Sequence, residues 1–281
     1  MLNGLAAWHY PHRTLHENIE YFAAQGYEAI GLLGFHFIDG IRADEEGLAK
    51  VMKASGCVFT VHHKLPADHN EDTVAAFAAE MRDIGAWQEK YGMVKNLTFD
   101  VADAIRDNIA PYVQLTIDSV PDCIVGVEDF GLNPAERAQI EYLKGNPRFA
   151  FLIDIGHMFI RLRAKCPDSN RVTLFRHTDD EGPVNLEPGY DAFMTALKSK
   201  EFPICEIHLH NNDGVHDLHL FLPDGPLDIE MMAKVIRDFG FDGVLTIESA
   251  PGFMFKCAGQ AADDGIAKTF AYWKDCLAKA E

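Results

Sequence analysis

The 281-residue chain has no CxxC pair among its six cysteines: Cys57, Cys123, Cys166, Cys205, Cys257 and Cys276 stand far apart. That spacing excludes a zinc ribbon or a dithiol redox motif and reads as buried, reduced thiols. No run of about 18 apolar residues is present, so no segment reads as a membrane span. The opening MLNGLAAWHY lacks a basic stretch and its apolar part is short for an export signal, so a cytoplasmic protein is expected. Positive charge is scarce, with 25 Lys and Arg against 43 Asp and Glu, a net of −18. Such a surface repels polyanions, and no nucleic-acid partner is expected unless its site is local. The apolar fraction of 48% excludes an intrinsically disordered chain. The length suits one domain over 1–281, large enough to hold a core without disulfide or metal.

Short apolar runs at 2–8, 27–34, 57–63, 95–100, 123–128, 149–155, 204–210 and 243–249 each precede a helical pattern. The first helix opens on Thr14 with Glu17 three residues later, a capping box, and closes at Gly26. Others are expected near 44–55, 71–91, 102–118, after Asn133-Pro134, and at 189–200, 227–239 and 258–278. Pro111 should kink or break the fourth. Strands apolar on both faces belong in a parallel sheet covered by helices. Eight strand–helix units predict an α/β fold, a single (β/α)₈ TIM barrel with an outer ring of helices. An open doubly wound sheet would carry a glycine-rich phosphate turn after its first strand, where this chain reads Trp8-His9-Tyr10-Pro11-His12.

A barrel places its chemistry at the C-terminal ends of its strands. The expected strand ends carry His9, His36, His62-His63, Asp100, Glu128-Asp129, Asp154 with His157, His208-Leu209-His210 and Glu248. Every histidine except His16 and His177 falls at or shortly after such an end. Alternation puts Glu206, His208 and His210 on one face of the seventh strand, and turns Glu128 and Glu248 inward from the fifth and eighth. Glu128, Asp154, His210 and Glu248 are thereby expected to converge on the axis. Three carboxylates aimed at one spot repel strongly at low dielectric, and a divalent cation removes that repulsion. The mixed nitrogen and oxygen donors suit Mn²⁺, Mg²⁺, Co²⁺, Zn²⁺ or Fe²⁺.

The ordered set Val127-Glu128-Asp129, Asp154-Ile155-Gly156-His157, His208-Leu209-His210-Asn211-Asn212-Asp213, Asp217-Leu218-His219 and Thr246-Ile247-Glu248 resembles the xylose isomerase-like TIM-barrel superfamily. That superfamily groups sugar isomerases and epimerases with zinc-dependent apurinic endonucleases. The resemblance implies that Glu128, Asp154, His210 and Glu248 ligate one divalent metal. It implies Glu128 and Glu248 as the acid/base pair of an isomerase or epimerase working on a small carbohydrate through a metal-stabilised enediolate. His157, His62, His63, Asp217 and His219 would contact substrate or a second metal, a second or third ion not being favoured. The endonuclease branch is the alternative: Asp217-Leu218-His219 matches its Asp-x-His pair, whereas Thr98-Phe99-Asp100 departs from the histidine it carries after the fourth strand. A metal-dependent hydrolase, or a non-catalytic barrel with a vestigial site, are the remaining readings.

Residues 159–190 read as a long loop over the barrel mouth, with Arg161, Arg163, Lys165, Arg171 and Arg176 set against Asp168. It reads as a lid whose Arg161 and Arg163 bind a substrate anion, or as a surface excursion or a contact in a homo-oligomer. Trp8 and Phe35 are expected in the core, Phe253 and Phe255 over the mouth, and His12-Arg13 at the rim.

Overall fold

The computed structural model describes residues 1–7, 12–66, 68–101, 108–129, 132, 134–164, 188–250 and 259–280. Strands β1 (Leu2–Ala6), β2 (Ala29–Leu33), β3 (Val58–Lys64), β4 (Val94–Asp100), β5 (Ile124–Glu128), β6 (Phe149–Asp154), β7 (Ile204–Leu209) and β8 (Val244–Ile247) pair in sequence order. All eight pairings are parallel, and β8 pairs back onto β1 to close the barrel. The helices around it are α1 (Leu15–Ala24), α2 (Gly34–Ser55), α3 (Glu71–Tyr91), α4 (Ile109–Ser119), α5 (Pro134–Ile140), α6 (Ile155–Ala164), α7 (Tyr190–Lys198), α8 (Ile229–Phe239) and α9 (Gln260–Ala280). The expected (β/α)₈ barrel is the observed fold.

Local signals account for most boundaries. Thr14 and Glu17 form the full capping box of α1. Asn70 and Asp228 cap α3 and α8 through their side chains, and glycines in the left-handed region end both helices. The layer between strands and helices holds the largest buried side chains, among them Phe22, Phe37, Trp87, Tyr112, Phe193 and Trp273. Cys123, Cys205 and Cys276 are buried thiols and Cys57 is half-buried. Among the described residues, no helix is long and apolar enough to cross a membrane.

Several expectations are corrected. The second strand stops at Leu33 and does not run on to His36; α2 begins at Gly34, with a break in helical geometry at Asp44, so the helix expected from 44 is only its second half. Phe35 consequently sits on the first turn of α2, 49% exposed, and is no core residue. Pro111 opens α4 instead of breaking it, because it stands third in the helix, where a backbone N–H has no intrahelical partner to lose. The segment 159–164 is helical, so Arg161 and Arg163 belong to α6 and not to a loop. The rest of that loop, with Lys165, Arg171 and Arg176, lies outside the described residues, as do Trp8, His9, Asn133, Phe253 and Phe255.

The end of β5, which carries Glu128, is pinned from outside. Asp129 points away from the axis, its side chain fully buried, and takes two hydrogen bonds from Arg137 Nη2 at 2.9 Å and one from Lys200 Nζ at 2.6 Å. Burial opposes its ionisation, but Lys200 and Arg137 overcome this and hold the carboxyl below the ordinary carboxylate value. Asp129→Asn is expected to lose about 2–3 kcal/mol of stability near neutral pH, read by urea unfolding. The folded-state value is depressed, so the contribution is complete above the unfolded Asp value of about 4 and disappears as pH falls through the folded one. The two proteins' stabilities should converge in acid.

Candidate metal centre

The inward-facing ends of β3 to β8, with the segments that follow β6 and β7, gather a set of ionisable side chains taken out of water. Glu128, Asp154, Asp217, Glu248 and Asp100 are each no more than 8% exposed, and so are His62, His157, His208 and His210. Asp154 stands at the seam between β6 and α6. Its Oδ1 accepts the backbone N–H of His157 at 2.8 Å, capping α6 and placing His157 in that helix's first turn.

Two clusters of donors share this space. In the first, Asp154, His208 and Glu248 present ligand atoms within 4.8 Å of one another, and Glu128, Asp154 and His157 do the same. His208 Nδ1 lies 3.1 Å from Glu248 Oε2. In the second, His157, His210, Asp217 and His219 converge within the same limit. Three imidazoles there have Nδ1 against an oxygen: His157 on Glu128 Oε1 at 2.7 Å, His210 on the Asn211 carbonyl at 3.2 Å, and His219 on the Glu248 carbonyl at 2.8 Å. Each therefore turns Nε2 toward Asp217, at 3.2, 3.5 and 3.1 Å. An imidazole held at one nitrogen with the other aimed at a carboxylate is the arrangement of a metal ligand. Asp154 Oδ2, His210 Nε2 and Asp217 Oδ1 are buried without a hydrogen bond among the described residues. Carboxylate oxygens and imidazole nitrogens left in this way suit a divalent cation of the first transition series.

The sequence-derived quartet is regrouped. Glu128, Asp154 and Glu248 are brought to one region, but the imidazole beside Glu248 is His208. His210 reaches Asp154 Oδ1 at 3.2 Å and otherwise belongs with Asp217 and His219, which it stacks on with ring centres 3.9 Å apart. β7 ends at Leu209, so alternation no longer governs His210. His208 was legible from the alternation that selects Glu206 and His208 together. Of the histidine pair on β3, His62 faces inward, 3.7 Å from Glu128 and bonded to Thr98 Oγ1. His63 faces out, bonded to Glu80 on α3 and stacked on Phe77, and is not part of the site.

The connection after β7 is fastened by residues that carry no charge. Asn211 bonds the Leu222 and Leu227 carbonyls and accepts the Leu227 N–H, while Asn212 Nδ2 donates to the Gly156 carbonyl. A side chain at Gly156 would collide with the His210 ring, and one at Gly214, where φ is +78°, with the Arg163 guanidinium. Arg163 donates to the Asp213 carbonyl at 2.7 Å. It clasps this loop to α6. His219 adopts φ of +47°, unusual for a side chain with a Cβ, and is held there by the Glu248 carbonyl and by Ala250 N–H.

Charge is balanced by protons. Burial raises Glu128 to about 7, despite His157. Burial likewise raises Asp100. Burial disfavours charge on His157, His208 and His219, but neighbouring carboxylates raise all three, His219 to about 9. Burial and His208 together bring His62 down to about 3, leaving it neutral. Cations must displace these histidine protons, so zinc affinity is expected to fall as pH drops below the His219 value, with protons released on binding. Asp154→Asn should weaken zinc binding at the first cluster, whereas His63→Ala should leave it unchanged. Competition with a chelator at several pH values measures both.

No family model matches the chain. A curated relative, an uncharacterized protein of Methanocaldococcus jannaschii, is 23% identical over 158 residues, which is 56% of this chain and 48% of that protein. The match thus spans about half the length of that relative. Solved structures resemble the whole chain. A D-tagatose 3-epimerase-like protein superposes with a TM-score of 0.65 at 15% identity, covering 99% of both chains. D-psicose 3-epimerase with D-tagatose from Clostridium cellulolyticum gives 0.64 at 10% identity, again covering 99% of both. A probable 3-DHS dehydratase from Bacillus anthracis gives 0.63 at 12% identity over 96% of this chain and 98% of the other. At these identities the likeness is one of fold, and it spans more than one reaction type.

Proposed function

We propose that this chain, a xylose isomerase-like TIM barrel, is a divalent-metal-dependent isomerase or epimerase of a sugar or sugar derivative. The observation that carries this reading is the convergence of Glu128, Asp154, His208 and Glu248, from or next to the ends of four consecutive strands, on one buried region at the catalytic end of the barrel. Those four residues would hold the cation, of the kind that mixed nitrogen and oxygen donors select. When bound, a divalent cation supplies positive charge to a substrate carbonyl and its neighbouring hydroxyl, which acidifies the C–H between them.

The residues then divide the work. Glu128 is raised by burial into the range where a carboxyl both takes and gives a proton near neutrality, and His157 orients it. Glu248 is steadied by His208. β6 and β7 separate their strands in the closed barrel, so the two carboxylates address the cavity from different sides. Removal of the C–H proton beside the carbonyl gives an enediolate; a proton returned to the opposite face of the same carbon inverts that centre, and one returned to the former carbonyl carbon, with the hydroxyl proton moved between the two oxygens, isomerises. His62, neutral and 3.7 Å from Glu128, supplies a hydrogen-bonding wall to the substrate side.

One observation favours a second reading: His157, His210, Asp217 and His219 form a complete donor set of their own. Two or three cations in one cavity would suit phosphoester hydrolysis, including that of abasic DNA. The charge of −18 weighs against a DNA partner.

Metal analysis of the purified protein, followed by a ketose screen in D₂O, separates the readings. The isomerase reading expects deuterium incorporation beside the carbonyl, lowered about 10²- to 10⁴-fold by Glu128→Gln or Glu248→Gln. Cleavage of an abasic duplex without any sugar exchange would overturn it.

A further inference from the structure

Beneath the two donor clusters the barrel interior holds another charged group, Glu206 on β7, 1% exposed. Barrel interiors are ordinarily filled by branched aliphatic side chains, and removing a carboxylate from water costs several kcal/mol. This one is gripped from three other strands. Thr60 and Thr246 donate to Oε1 at 2.9 and 2.7 Å, and Asn96 Nδ2 donates to Oε2 at 3.3 Å. Such a grip fixes the carboxylate in place but gives no reason for a charge to be there.

The reason lies one step toward the mouth. Glu206 and His208 share the inward face of β7, and Glu206 Oε1 is 3.4 Å from His208 Nε2. The other nitrogen of that ring, Nδ1, faces Glu248 Oε2 at 3.1 Å and belongs to the set with Asp154. His62 meets the ring edge-on at 5.1 Å and limits its rotation. We infer that Glu206 is a positioning residue: it accepts the His208 Nε2–H and so commits Nδ1, with its lone pair, to the Asp154–Glu248 centre. A neutral imidazole has one protonated nitrogen, and the acceptor beside it selects which. Without that acceptor the ring can carry its proton on Nδ1, where it blocks a cation. Carboxylate–histidine pairs of this kind raise ligand basicity and orient the ring. The inference rests on the metal-dependent reading above for its consequence, but the 3.4 Å approach of Glu206 to Nε2 stands apart from it.

The test uses the full chain with ¹⁵N-labelled histidine, as wild type, Glu206→Gln and Glu206→Leu, with His208 assigned against His208→Gln. Long-range ¹H–¹⁵N spectra read the ring protons before and after zinc addition, and chelator competition reads zinc affinity. In the wild type, His208 should keep a slowly exchanging Nε2–H in both states. Glu206→Leu should lose that signal and bind zinc about 10- to 100-fold more weakly. Glu206→Gln keeps an acceptor oxygen, so it should retain the Nε2–H with a weaker hydrogen bond and recover most of the affinity. If Glu206→Leu does not fold, the shifted Nε2–H signal in Glu206→Gln carries the test, and an unshifted signal overturns the inference. A wild-type His208 protonated only on Nδ1 overturns it too, as does equal zinc affinity in all folded variants. A wild type that shows the Nε2–H yet takes up no zinc supports the role of Glu206 and removes the metal reading instead.

Discussion

Mutual repulsion among buried carboxylates governs the upper half of this barrel. Glu128, Asp154, Asp217 and Glu248 approach one another where water cannot screen them. Buried charges persist only when paired. The pairing here comes from histidines, each wedged between two acids: His157 between Glu128 and Asp217, His208 between Glu206 and Glu248, His219 between Asp217 and Glu248. Their raised proton affinity is a direct consequence. The electrostatic well that holds these protons is also one that would suit a divalent cation.

Rigidity follows from the same need. Opposed charges hold their geometry only if the backbone cannot relax. Strand pairing fixes Glu128, Asp154 and His208. The connection beyond β7 has no ladder of that length, and side chains do the work there. Asn211 acts as a peg for the chain out to Leu227, Asn212 reaches across to Gly156, and Arg163 clamps Asp213. The left-handed backbone of His219 is tolerated because the Asn211–Leu220 bridge and the Ala250 N–H bracket it. From outside, Arg137 and Lys200 serve β5 in a comparable way through Asp129.

Where physics is local and periodic, the sequence was sufficient. Strand alternation identified Glu128 and Glu248 as inward residues, and cap chemistry placed α1. Alternation also separates His62 from His63 once the start of β3 is known. It failed at the ends of elements. His210 lies past the last paired residue of β7, and its direction is set by the Asn211 carbonyl and the space above Gly156. The run Phe35-His36-Phe37-Ile38 is as apolar as a strand, yet it forms the start of α2, the helix that packs against α1 and α3. Glu206 reads as an inward residue from its parity, but nothing in the sequence says that Thr60, Asn96 and Thr246, from three distant strands, would converge on it.

His157 links the two clusters and bears on what the site can do. Its Nδ1 lies on Glu128 and its Nε2 on Asp217, so a proton arriving at Glu128 has a path through the ring to a second carboxylate. Under the proposed isomerase or epimerase reading, a cation on Glu128, Asp154, His208 and Glu248 would leave that path between Glu128 and Asp217 in place. A second cation on His157 Nε2 would close it. The ring would then be a fixed donor to Glu128, as a hydrolytic site with more than one cation would need. Under the proposed readings, the Asp217 cluster is therefore the place where a proton-transfer site and a hydrolytic site would differ on one set of side chains.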